Sequence, residues 1–177
     1  RVVSHLLAVP GEVARLRDAD DFRYATVCYL LTCEHLALLS VWSPTFLVAL
    51  LANLDPWLDS ICRDLHRGWL ELPAAGERLT LSGRRHRTRA RQLAAIFAAH
   101  SELPRRLAAA WPRLSLISCW GDAASALFLP QLRELFPEVA IQPKGLLATE
   151  GIVSFPIVGR QGAALAINSH FFEFAPH

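Results

Sequence analysis

Leu114 to Gly151 reads LSLISCWGDAASALFLPQLRELFPEVAIQPKGLLATEG, and this stretch decides the fold. LSLISCW is a near-continuous apolar run of strand length, and Gly121-Asp122 is a turn. Ala123 to Leu135 then places Leu127, Leu132 and Leu135 on one helical face until Pro137 stops it. Val139 to Ile141 and Leu146 to Thr149 read as further strands. Strand, turn, helix, strand is the crossover unit of a parallel sheet, expected to be buried on both faces. Ligands of such sheets lie beyond the carboxyl ends of the strands, which puts Gly121-Asp122 and Thr149-Glu150-Gly151 at one expected rim. Each acid also has a plainer reading: Asp122 as the N-cap of the helix, Glu150 as a solvated turn carboxylate.

Downstream, Ile152 to Val158, Ala163 to Ile167 and Phe171 to Ala175 are apolar runs divided by polar turns, and they read as antiparallel additions. Upstream, residues 1–112 read as a mainly helical scaffold and 113–177 as the α/β part of one segment. Val2 to Val9 is apolar enough for a strand or a buried helical turn. A short helix follows from Glu12, closed by the acidic loop Asp18 to Asp21, and Phe22 to Thr32 is a second, more apolar helix. Leu36 to Leu54 carries no formal charge, but Ser43-Pro44 is a cap followed by a helix start. The run therefore divides into a strand, Leu36 to Trp42, and a helix, Pro44 to Leu54, each too short to cross a bilayer of about 30 Å. Asp55-Pro56 repeats the device and opens a helix to Gly68 with Leu58, Ile61, Cys62 and Leu65 on one face.

Glu71 to Arg91 is rich in Pro, Gly and Arg. Its basic cluster, RRHRTRAR from Arg84 to Arg91, has no interleaved aromatics; it reads as a solvated helix start, with phosphate binding as the alternative. The helix continues with Leu93, Ile96 and Phe97 inward, and another begins at Ser101 or Glu102 and ends near Trp111-Pro112.

With 177 residues, 53% of them hydrophobic, and 18 basic against 16 acidic groups, the chain can bury a core and its charge does not call for nucleic acid or a membrane surface. Cys28, Cys33, Cys62 and Cys119 show neither zinc-ligand nor disulfide spacing, so reduced thiols in a cytoplasmic protein are expected. No nucleophile elbow or histidine constellation appears. The chain has no methionine and opens on Arg1, and it reads as a piece of a longer protein.

Four phrases in this order, VWSPTFLVALL, ISCWGDAASALFLPQLRELFP, IQPKGLLATEG and INSHFFEFAP, resemble the auxin-responsive-promoter family of acyl-acid amido synthetases, particularly its bacterial members. That family belongs to the adenylate-forming superfamily. The resemblance implies an α/β fold, part of the large N-terminal domain of an adenylate-forming enzyme, with a mixed, mostly parallel sheet flanked by helices. It implies ATP-dependent activation of an acyl acid, Mg2+ as cofactor, and transfer to an amine or amino acid. A thiol acceptor, and a non-catalytic relative acting as an interaction module, stay open as alternatives.

Residue by residue, Thr149-Glu150 match the end of the family's second signature. The resemblance gives Glu150 to the metal and phosphates and the Thr149 hydroxyl to an α-phosphate oxygen. Leu147, Ala148 and Gly151 fall around the nucleotide, and Phe171 falls beside it, with core packing as its alternative. Gly121 and Asp122 match the turn facing the acyl group. Leu146 stands where plant members have tyrosine. The family's phosphate loop and ribose motif lie outside this segment, so the piece alone is expected to be inactive.

Overall fold

Asp18 opens the first long helix: its carboxylate accepts hydrogen bonds from the backbone N–H groups of Asp20 (2.8 Å) and Asp21 (3.1 Å), donors that a helix start otherwise leaves bare. In this computed structural model, which describes residues 7–81, 86–157, 159–160 and 162–173, that helix is α1, Ala19–Thr32. The acidic run expected to close a preceding helix thus belongs to the one it begins. Asp21 is buried there, its two oxygens accepting from the N–H groups of Ala74 and Ala75. Among the described residues before α1 only a 3-10 turn forms, Val13–Arg15. Most of the strand or buried helical turn expected at Val2 to Val9 lies outside the described residues.

Strand β1, Leu38–Ser40, leads to α2, Pro44–Leu51, where the Ser43 hydroxyl accepts from the Thr45 N–H at 3.3 Å. Helix α3, Leu54–Arg67, ends at Gly68, whose φ of 91° is the left-handed conformation glycine adopts freely. Asp55 is not its cap. It lies within the first turn and pairs with Arg106. Among the described residues no single helix is long and apolar enough to cross a membrane; α2 and α3 meet at 69°.

The Pro, Gly and Arg stretch contains a hairpin that its composition did not reveal, β2 (Trp69–Glu71) antiparallel to β3 (Arg78–Thr80). Helices α4, Arg87–Ala99, and α5, Leu103–Ala110, follow. Arg84 and Arg85 lie outside the described residues, but Arg89 is buried, not solvated. Its guanidinium donates to Leu31 O (2.7 Å) and Ala110 O (2.6 Å). These carbonyls sit at the C-terminal ends of α1 and α5, where a cation meets the negative end of both helix dipoles.

Strands β4, Leu116–Trp120, and β5, Ala140–Lys144, complete a three-stranded parallel sheet in the order β1-β4-β5. The crossover is not one helix. A 3-10 turn, Ala123–Phe128, precedes α6, Leu129–Leu135, and Pro130 stands in the first turn of α6, where its missing N–H costs nothing. The change of helical pitch moves Leu127 off the apolar face, and it is 78% exposed, whereas Leu132 is fully buried. Helices cover one face of the sheet: Leu39, Ile117 and Cys119 are buried against them. The opposite face is covered by no described helix: Leu38, Ser40 and Gln142 are exposed there, and Leu116, Ser118 and Trp120 are half-buried.

Beyond β5 the chain makes two small antiparallel ribbons. One pairs β6 (Leu147–Ala148) with β7 (Gly151–Ile152), the other β8 (Ser154–Pro156) with β9 (Ala163–Leu165). The expected strand at Leu146 to Thr149 is therefore a ribbon strand, outside the parallel sheet. Residues 171–173 form no strand, and Phe174 and Ala175 lie outside the described residues. No described residue after Phe136 is buried.

Candidate functional site

The ribbon that carries Glu150 is fastened at its base. A Cβ built on Gly145 would lie 1.9 Å from Ser154 O, so the exit of β5 runs backbone against backbone with β8, an approach only glycine permits. Leu146 N donates to Ser154 Oγ at 2.9 Å, and the N–H groups of Val153 and Ser154 return to Leu146 O at 2.9 and 3.1 Å. From this base the chain rises through β6, turns at Thr149-Glu150 and descends through β7. At the tip the Thr149 hydroxyl donates to Glu150 Oε2 at 3.1 Å, and both residues are exposed.

A second loop braces the turn from the side. Ala166 N donates to Val153 O at 2.9 Å, and the Ser169 hydroxyl is 2.7 Å from Ile152 O and 2.8 Å from Ala166 O. The His170 ring lies so close to Gly151 that an added Cβ there would be 2.0 Å from its Cε1. Neither Ser169 nor His170 was singled out from the sequence. Only the INSHFFEFAP phrase carried them, and its expected contributor was Phe171, which is 91% exposed and so does not pack in a core. Beside the ribbon, Ile152, Phe155 and Leu165 to Ser169 line an open cleft of about 410 Å³.

Gly121 and Asp122 follow the carboxyl end of β4. Gly121 is buried, with room for no more than a tight Cβ 3.2 Å from Leu129 Cδ1. Asp122 occupies the N-cap position of the 3-10 turn, yet its side chain makes no cap hydrogen bond, which removes its plainer reading. The two acids are carried by different elements: Asp122 follows β4, whereas Glu150 lies outside the parallel sheet. The sheet ends at Lys144, paired with Trp120, and Glu150 rides on the ribbon that follows. Just inside the sheet end, burial pushes the Cys119 thiol up from its ordinary pKa, with Lys144 and Arg133 acting in the opposite sense. It remains a buried, protonated hydrophobe.

Among the described residues no group of three or more His, Cys, Asp or Glu side chains could hold a metal ion. A lone carboxylate with an adjacent hydroxyl nonetheless fits Mg2+, which takes one or two protein carboxylates and fills its other positions from substrate phosphates and water.

The fold is shared with solved structures. A GH3.15 acyl acid amido synthetase superposes with a TM-score of 0.69 at 14% identity, covering 84% of this chain and 28% of its own. AtGH3.15 acyl acid amido synthetase in complex with 2,4-DB does so with a TM-score of 0.64 at 16% identity, covering 78% of this chain and 25% of its own. The chain therefore spans about a quarter of the length of these structures. No curated protein matches it in sequence. The GH3 family N-terminal domain matches residues 1–141, which ends before the Glu150 ribbon and takes in the helical scaffold and the crossover. By that match, the chain belongs to the GH3 family, the auxin-responsive-promoter family that its four phrases resemble.

Proposed function

We propose that this chain is the part of an ATP-dependent acyl-acid amido synthetase that grips the nucleotide during acyl-adenylate formation. The observation that carries the reading is the Thr149-Glu150 pair, exposed at the tip of a ribbon braced on two sides. A carboxylate that is to meet metal-bound phosphates has to be held in place and left without a protein cation. Glu150 is both. No arginine or lysine pairs with it among the described residues.

In this reading an oxygen of the acyl carboxylate attacks the α-phosphorus of ATP, and the bond to pyrophosphate breaks with its electron pair leaving on pyrophosphate. Bound Mg2+ would neutralise phosphate charge that otherwise repels the incoming carboxylate. Glu150 would hold that ion, and the Thr149 hydroxyl would turn from Glu150 to donate to an α-phosphate oxygen. Leu147, Ala148 and Gly151 offer backbone and exposed apolar surface to the adenine, with Phe171 at its side. Gly121 and Asp122 face the acyl group. The acyl group then passes to an amine or amino acid; a thiol is the alternative acceptor. All four cysteines are free, which suits the reducing cytoplasm we propose as its setting.

The test is ATP–pyrophosphate exchange by the full-length protein. Glu150→Ala should abolish it and should also remove stabilisation by ATP, about 2.7 kcal/mol at one hundred times the dissociation constant. Residues 1–177 alone should show no exchange. Unaltered exchange in Glu150→Ala refutes the assignment.

A further inference from the structure

We propose that Lys144 is the seat of the acyl substrate's carboxylate, with Trp42 and Trp120 forming the wall against which an apolar acyl body lies. The inference rests on the reading above. It assigns a residue to the acid, and nothing in that reading requires Lys144.

The sequence makes Lys144 unusual. It is the one lysine among 18 basic residues; the other 17 are arginine. Arginine serves for planar pairing and stacking, whereas an ammonium is a compact charge with three rotatable donors. A chain that uses guanidinium at every other basic position keeps the ammonium at the end of β5, the carboxyl end of a parallel sheet, where such folds receive ligands.

The structure shows that this charge is unspent. Lys144 is half-buried, and its Nζ reaches across β4 to donate to Ser40 Oγ at 2.9 Å. Among the described residues no acid lies within ion-pair distance of it: the four ion pairs all use arginine, and Asp122, at the same end of the sheet, is in none of them. Two donor positions on Nζ are thus left for a ligand. Lys144 is in register with Trp120 on the open face of the sheet. The Trp120 ring lies 5.5 Å from that of Trp42 at 60°, Trp120 N donates to Trp42 O, and Trp42 is 52% exposed. A cation beside two tryptophans recognises an anion with an apolar body, not a bare phosphate.

The full-length protein is assayed by ATP–pyrophosphate exchange with phenylacetate as the acyl probe, and binding is read by quenching of tryptophan fluorescence. Lys144→Met should raise the KM for phenylacetate at least tenfold and leave the KM for ATP within twofold, with an unchanged thermal midpoint. Lys144→Arg should recover part of the loss, because it keeps the charge and not the reach. Phenylacetate should quench the wild type and phenylacetamide should not. A rise confined to the KM for ATP would place Lys144 on a phosphate and overturn the proposal, as would unchanged constants, equal quenching by the amide, or a wild type that phenylacetate neither saturates nor quenches. Glu150→Ala separates the two claims: it should lose exchange yet keep the quenching by phenylacetate that Lys144→Met loses.

Discussion

Replacing Arg89 by alanine should be one of the most damaging single changes in the scaffold, although the residue sits in what the sequence presents as a basic surface cluster. The side chain is buried and donates to two carbonyls, Leu31 O and Ala110 O, at the ends of α1 and α5. Burial pulls its pKa below the ordinary arginine value, with Glu34 and Cys33 acting in the opposite sense. The group nevertheless stays charged, as guanidinium does in proteins. A hydrogen bond from a charged donor contributes about 1.5–3 kcal/mol. Losing two and leaving both carbonyls without a donor, offset by the relief of desolvating a cation, gives about 3–5 kcal/mol, the range for breaking a buried charged contact. For a chain of this size each kcal/mol moves the thermal midpoint by about 2–4 °C, so the midpoint should fall by about 6–20 °C. Arg89→Lys should lose about half as much, since one ammonium cannot span both carbonyls with the geometry of the fork. Urea and thermal melts measure this directly. A loss below about 1 kcal/mol, or an unchanged melt with a salt-dependent loss of phosphate binding, would refute the reasoning and return Arg89 to the surface cluster.

Two further outcomes follow from the same coordinates. Gly151→Ala should lower pyrophosphate exchange in the full-length protein while leaving its thermal midpoint in place, because the added Cβ strikes the His170 ring and nothing in the core; combining it with His170→Ala should restore part of the activity, and a double variant no better than the single would show that the clash is not the cause. Stability should fall on the alkaline side: burial, with Glu12 second, raises the Tyr29 phenol to about 12, and burial raises the Cys28 and Cys62 thiols, so above the ordinary thiol and phenol values of 9.0 and 10.0 the unfolded chain has shed protons that the native chain keeps. The stabilisation is complete below about pH 9, urea midpoints should drop between pH 9 and 12, and Tyr29→Phe should flatten the upper part of that slope.

What the sequence disclosed and what it hid can be seen in two dipeptides. Ser43-Pro44 and Asp55-Pro56 look like the same device, yet only Ser43 caps. The second helix starts two residues earlier, at Leu54, because Leu54 is fully buried, and tertiary burial outweighs a local cap; the Asp55 carboxylate goes to Arg106 on α5 instead. The crossover was legible from apolar runs and Pro137, but its interior was not, since Leu127 keeps helical spacing on paper while the 3-10 turn before Pro130 rotates it outward. Arg89 was hidden for a different reason. Composition reports charge density, whereas the need for a cation arises only when the ends of two helices 58 and 21 residues away meet. Strand LSLISCW was read correctly as a strand, but which of its faces the helices of this chain cover was not legible, because Leu116 and Ile117 are alike in the sequence and differ only in that respect.

Among the described residues some acids are taken up by protein partners and others, Glu150 among them, are left without a cation. Asp20, Asp55, Glu71 and Glu102 are each paired with an arginine, and Asp21 is taken up by two backbone N–H groups. Among the described residues Glu150 has only the hydroxyl of its neighbour, and Lys144 only a serine. These two opposite charges stand six residues apart on one stretch of chain and do not neutralise each other. Gly145 is the reason. Its close approach to Ser154 turns the chain out of the sheet immediately after Lys144, so the ammonium stays on the open face while the carboxylate is carried to the tip of the ribbon. Gly145→Ala should displace that junction and with it the ribbon, lowering pyrophosphate exchange in the full-length protein; unaltered exchange would show that the close approach to Ser154 does not position Glu150.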